Sequence, residues 1–212
     1  MAESRQAQIR SRGRPKQISV AAHRQAITNA AWPLFLEKGY RGTTVSKVAA
    51  AAHVSLRTVY QIFPGKLELF ASVVEEHRHS MVALPADYDH LPMIEALYRI
   101  FQIDIDAKAQ QRRLALLTMF IEESRQFPEL GPILQEHGPD HARALLVDWL
   151  EHQQQLGRIS VSNADFTAQM LMDVVFGASS LNFTRQLKWP GAADRKDYLG
   201  HCLTILIKGL QP

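Results

Sequence analysis

From Val20 onward apolar positions recur every three or four residues, the spacing that lines one face of a helix. Ala22, Ile27, Ala30, Ala31, Leu34 and Phe35 fall near one face, and Gly39 stands where a C-terminal cap belongs. Pro33 inside this run removes an intrahelical donor, so a bend is expected there. Thr44 then suits the N-cap of a short helix from Val45 to about Ala52. His53-Val54 reads as a tight turn, and Ser55 caps a second short helix, Leu56 to about Phe63, closed by Pro64-Gly65. Lys66 starts a longer helix expected to reach Leu84 and to stop at Pro85. Ile94, Leu97, Phe101 and Ile105 repeat at helical spacing, as do Leu114, Leu117 and Ile121. A helix from Pro128 is expected to break at Gly138-Pro139 and to resume from Asp140 to Leu156, with Gly157 ending it. Ser162 or Asn163 can cap a helix from Ala164 to Leu187, and Asp194 begins a last one ending near Lys208. No segment reads convincingly as a strand, so the expectation is an all-α protein of about nine helices.

Thr44 to Lys66, TVSKVAAAAHVSLRTVYQIFPGK, concentrates the functional signal. Two short capped helices joined by a three- or four-residue turn have the layout of a helix-turn-helix. Val45, Val48 and Ala49 would face inward from the first, Val59 and Phe63 from the second. Leu56, Arg57, Thr58 and Gln61 would then face outward on the helix that enters a DNA major groove. The Arg57 fork matches guanine O6 and N7, and Thr58 suits a thymine methyl or a hydrogen bond. Tyr60 and Lys66 have the chemistry of phosphate contacts, which set register without reading sequence. The helix N-termini at Thr44 and Ser55 would add backbone donors for phosphates.

Charge strengthens this reading. The whole chain carries a net +3, but residues 1–70 hold eleven cations against three anions, a balance of +8, leaving −5 on the remainder. A basic front third on an acidic body points to a polyanionic partner at one end. Residues 1–19 are polar, basic and aperiodic, as expected of a flexible arm. Arg12 and Arg14 flank Gly13 there, a pattern suited to a narrow A·T-rich minor groove; a basic tail that merely raises affinity is the plainer alternative.

The run from Leu34 to Phe70, LFLEKGYRGTTVSKVAAAAHVSLRTVYQIFPGKLELF, closely resembles the signature of the TetR family of transcription regulators. The likeness spans the LFLEKGY helix ending, the TTV start of the next helix, the VSLRTVY recognition helix and the FPGK entry to the following one. It implies backbone-gripping roles for Thr44, Tyr60 and Lys66 and base-facing roles for Arg57 and Thr58. Two departures stand out: His53 where the family usually has glycine, and Ile62 where an aromatic or histidine is common. The resemblance further implies a domain plan of a basic arm (1–19), a three-helix DNA-binding domain (20–66) and a helical effector-binding and dimerisation domain (67–212).

The effector half is less legible. Leu97, Phe101, Ile105, Leu117, Phe120, Trp149, Met170 and Phe176 form helical stripes, individually ordinary core and as a group the possible lining of a cavity. Asp104, Glu122 and Asp173 sit among apolar neighbours and could supply its polar groups, although exposure or pairing with arginine is the simpler fate for each. The segment Glu122 to Leu130, EESRQFPEL, with Gly157 to Ile159, looks like effector domains of efflux-linked family members and favours an apolar or amphipathic ligand. The helix from Ala164 is apolar nearly all round and so needs cover on two sides. One cover would be the last helix and a two-fold mate, giving a homodimer through the last two helices. Dimers also place two recognition helices about one DNA turn apart, roughly 34 to 36 Å.

Together these expectations describe a repressor that a small-molecule effector releases from palindromic double-stranded operator DNA. The alternative is a ligand-independent DNA-binding regulator or chromosome-organising factor. No nucleophile motif, paired acid and base or glycine-rich phosphate loop argues for an enzyme. One cysteine, Cys202, excludes an internal disulfide and a cysteine-rich zinc site. No cofactor, metal or membrane partner is expected, and the absence of a visible signal sequence suggests a cytoplasmic protein.

Overall fold

The computed structural model describes residues 19–180 and 195–210. Within them the regular elements are α1 (Val20–Gly42), α2 (Val45–Ala51), α3 (Leu56–Ile62), α4 (Lys66–Met81), α5 (Met93–Ile100), α6 (Ala107–Gln126), α7 (Leu130–Gln135), a π-helical turn (Glu136–Asp140), α8 (His141–Gln155), α9 (Ala164–Ser180) and α10 (Arg195–Gly209). Counting 130–155 as one run widened by its π-helical turn, the described residues hold nine helices. The fold is all-α, with the helix-turn-helix at its N-terminal end.

The capping residues act as their chemistry requires. Ser19 accepts from Ala22 N, Thr44 from Lys47 N and Ser55 from Thr58 N, each oxygen filling an otherwise orphaned first-turn donor. Gly39, at φ 67° and ψ 177°, interrupts α1. Pro33 sits inside α1 with helical backbone, so the break lies six residues beyond the bend expected at the proline. Thr43 then fastens the end of α1: its hydroxyl lies 2.9 Å from the carbonyls of both Leu34 and Gly39.

Three boundaries differ from the sequence expectation. α4 ends at Met81, and Val82 and Leu84 continue as buried extended chain; a residue before proline is driven out of helical backbone. The apolar repeat from Ile94 to Ile105 is not one helix. Phe101–Asp104 turn, Gln102 takes φ 49°, and Asp106 caps α6 by accepting from Ala109 N at 2.7 Å. Gly138-Pro139 does not stop its helix. Proline removes one rung of the ladder, and a single wide turn absorbs the loss.

Two apolar clusters hold the fold together. The first joins Ile27 and Phe35 of α1, Val48 of α2, Val59 of α3 and Phe70 of α4 to Phe120 of α6 and Leu130 of α7. The second runs from Val82 and Leu84 through Leu97 of α5, Leu146 and Trp149 of α8, Leu171 of α9 and Leu203 of α10. α4 leads from one to the other, and a buried hydrogen bond of 3.0 Å between Thr28 and Ser72 ties it to α1.

Candidate nucleic-acid interface

Between α2 and α3 the chain turns at His53, whose φ of 54° is left-handed. This is the turn position where glycine would be unstrained, and histidine bears the cost. Val48 and Ala49 of α2 pack with Val59 and Phe63 under the turn, while Val45 is half-buried. With that face committed to the core, Leu56, Arg57, Tyr60 and Gln61 are left exposed, Leu56 by 42% and Tyr60 by 51%. A leucine and a tyrosine so open on one seven-residue helix have no burial to justify them, which fits a surface that meets a partner.

Thr44 and Ser55 are exposed, with their oxygens engaged as N-caps. The Thr58 hydroxyl is half-buried and lies 2.7 Å from Ser55 Oγ, so it would have to share or exchange that bond to reach a base. Lys66 is half-buried, its ammonium 4.1 Å from the centre of the Tyr40 ring, and desolvation lowers its pKa. Arg12 and Arg14 lie outside the described residues. Arg41 and Lys47 are exposed near the α1–α2 junction but absent from the sequence-derived site; Lys47 Nζ donates to the Gly42 carbonyl at 2.8 Å. Their only sequence signal was positive charge beside Thr44.

The presumed effector residues do not converge as one set. Leu117, Phe120 and Phe176 line an apolar cavity of about 180 Å³ between α4, α6, the π-helical turn and α9. Leu97, Phe101 and Trp149 are buried in the second core cluster, with Phe101 edge-on to Phe176 at 5.9 Å. Ile105 lines a different, larger cavity of about 360 Å³ between α1, α4 and α6. Asp104 is exposed and pairs with Lys196 at 2.5 Å. Asp173 is exposed and accepts from Gln169, and Glu122 is exposed. Met170 is 39% exposed on the outer face of α9 beside Phe166 at 72%. On α10, Tyr198 and Ile205 are similarly open at 39% and 57%.

Sequence missed His77, which borders both cavities. Burial, and then the charge of Arg113, lower its pKa to about 4, so the ring is neutral at pH 7. His77 also ends a chain of aromatic contacts, His77–Phe120, Phe120–Phe70 and Phe70–Tyr40, at centroid separations of 5.4, 5.4 and 5.5 Å. That chain leads from the cavities to the ring under Lys66. Only tertiary packing assembles it, since its members come from α1, α4 and α6.

Comparison with known proteins agrees with this geometry. Residues 27–73 match the family model described as bacterial regulatory proteins, tetR family. Residues 95–207 match that of the AefR-like transcriptional repressor C-terminal domain. The HTH-type transcriptional repressor BepR of Brucella suis biovar 1 is 26% identical over 172 residues, 77% of this chain and 82% of that one. The uncharacterized HTH-type transcriptional regulator YvkB of Bacillus subtilis is 25% identical over 151 residues, 71% of this chain and 78% of the relative. Among solved structures, the flavonoid-responsive regulator FrrA superposes with a TM-score of 0.60 at 25% identity, covering 91% of this chain and 98% of FrrA. These relatives are regulators and not enzymes, and no helix of the described residues is long and apolar enough to cross a membrane. With a helix-turn-helix whose second helix is exposed, a two-core helical frame and family models matching both ends, the chain is a DNA-binding transcriptional regulator and belongs to the TetR family.

Proposed function

We propose that this protein is a homodimeric repressor that binds a palindromic operator and is released by a small apolar or amphipathic ligand. The observation that carries the reading is α4. It begins at Lys66 beside the helix-turn-helix, and further along it contributes Val74, His77 and Met81 to the apolar cavity. A ligand in that cavity presses on the same rigid helix that supports α1 and, through α1, the reading helix. Release then follows if the ligand binds better to the arrangement whose reading helices are wrongly spaced.

Arg57 is assigned to base reading, with Leu56, Thr58 and Gln61 beside it. Thr44, Ser55, Tyr60 and Lys66 are assigned to the phosphates, and Arg12 and Arg14 to the minor groove. The exposed apolar positions Phe166, Met170, Tyr198 and Ile205 on α9 and α10 support dimerisation through these two helices. Met170, exposed beside Phe166, is accordingly assigned to the dimer face rather than to the ligand set. BepR is a repressor and FrrA a flavonoid-responsive regulator by name, and both favour the ligand-released reading. The domain boundary is kept at 20–66 and 67–212, and the compartment proposed is the cytoplasm.

Fluorescence anisotropy on DNA from immediately upstream of the protein's own gene tests this reading, run at two salt concentrations beside a scrambled duplex. Tight binding to the native duplex alone, lowered by small apolar compounds with flavonoids among them, is the expected result. Equal, salt-sensitive binding to both duplexes would reject operator reading on that DNA. Sequence-specific binding that no compound weakens would favour the ligand-independent alternative.

A further inference from the structure

The larger cavity, about 360 Å³ between α1, α4 and α6, is within the range of small-molecule sites, roughly 300–1,000 Å³. It shares only His77 with the apolar cavity on the other side of α4. Its inner wall carries Arg113, 4% exposed. Nη1 of Arg113 donates to the Ser80 carbonyl at 3.2 Å and, at a long 3.5 Å, to that of Phe101. Among the described residues, its other guanidinium nitrogens make no hydrogen bond and no carboxylate forms an ion pair with the group. A buried guanidinium is costly unless its charge is met by an anion. Burial, and then the nearby Arg195, lower its pKa to about 10, which still leaves it cationic at pH 7.

The rest of the lining separates into two kinds. At the rim, exposed Glu76 and Arg112 offset each other. Inside, Trp32, Val73, Ile105 and Leu116 supply apolar and aromatic surface. Trp32 Nε1 and His77 Nε2 are buried without a partner among the described residues. His77 adds no charge here, because its ring is neutral. Among the described residues, Arg113 is therefore the uncompensated charge of an otherwise largely apolar chamber.

We propose that this cavity is a binding site for amphipathic carboxylates, with the carboxylate on Arg113 and the hydrocarbon against Trp32, Ile105 and Leu116. A planar guanidinium with free donors is the group that holds a carboxylate in two-point fashion. Because Thr28, Asn29 and Trp32 belong to α1, the bound acid bears directly on the helix against which α2 and α3 pack. The site is distinct in place and chemistry from the apolar cavity assigned above to the releasing ligand, and it stands whether or not that assignment holds.

Octanoate and 1-octanol, equal in chain and different in charge, are the probes. Binding to the full chain is measured by calorimetry, and thermal unfolding with each probe is followed in parallel. Octanoate is expected to bind at least tenfold more tightly than octanol and to raise the unfolding midpoint. Arg113→Gln should reduce octanoate to the octanol level. Ala109→Phe, which fills the cavity and leaves Arg113 in place, should remove the tenfold preference for octanoate and keeps the test decisive if the arginine variant fails to fold. Met172→Phe, in the other cavity, should leave the preference for octanoate over octanol in place. Equal binding of the two probes, binding of neither, a tenfold preference that survives Arg113→Gln, or loss of octanoate with Met172→Phe alone would each overturn the proposal.

Discussion

Replacing Gly39 by alanine tests whether the break in α1 is imposed by the fold or tolerated by it. With φ 67° and ψ 177°, Gly39 occupies a region of backbone space essentially closed to residues with a Cβ. Holding an alanine there costs about 1–3 kcal/mol. A Cβ on Gly39 would also collide with Glu123 Oε1 of α6. Since that oxygen is the end of a flexible side chain, the collision can be relieved by rotation and adds less than the backbone does. Alanine narrows the unfolded ensemble and returns only about 0.4–1 kcal/mol. The net expectation is a loss of about 1–2 kcal/mol, read as a lower urea midpoint at unchanged slope and fixed protein concentration. A double-mutant cycle with Glu123→Ala separates the two causes, and most of the loss should persist in the Glu123→Ala background. A Gly39→Ala protein within about 0.5 kcal/mol of the parent would refute the backbone argument. A loss that vanishes once Glu123 is shortened would transfer the whole effect to the collision.

Three further outcomes follow from the same structure. Arg57→Ala should weaken operator binding by about 1–3 kcal/mol, roughly tenfold or more by anisotropy, while the unfolding midpoint stays put because the side chain is exposed. Phe120→Ala, at a ring 1% exposed between Phe70 and His77, should cost about 3–5 kcal/mol in urea unfolding; a loss below 1 kcal/mol would mean the first core cluster collapses into the space. His77 has a folded pKa of about 4 against 6.5 unfolded, so the unfolded chain binds the extra proton. Its contribution is complete above pH 6.5 and disappears as pH falls towards 4, by roughly 3 kcal/mol in all. The difference in stability between parent and His77→Gln should therefore shrink over that interval, and a pH-independent difference would reject a buried neutral histidine.

What the sequence determined by itself is local. The caps at Thr44 and Ser55 and the special backbone of Gly39 are short-range signals, and the two caps appear where they were read, while Gly39 breaks α1 without ending it. The helix-turn-helix was legible for the same reason: its two helices, its turn and its buried side chains lie within about twenty consecutive residues, so little remains for the rest of the chain to decide. The exposed positions on α3 followed from which positions had to be buried. Where packing competes with periodicity, the pattern alone was insufficient. Ile94 to Ile105 kept a helical spacing across a turn, because a buried turn residue such as Phe101 or Ile103 is apolar for the same reason as a helical one. α4 stopped before Leu84 because the residue before Pro85 leaves helical backbone, and Gly138-Pro139 widened its helix because proline removes one rung of the ladder; the apolar period reports neither effect. The cavities belong wholly to the tertiary structure. Leu97, Leu117 and Met170 are equivalent as apolar helix positions, yet one is core, one lines a cavity and one faces outward. An empty volume is what remains between helices whose angles and separations depend on all their contacts at once. The pairing of His77 with both cavities, and the burial of Arg113 without a carboxylate partner among the described residues, therefore come into being only when α1, α4 and α6 meet.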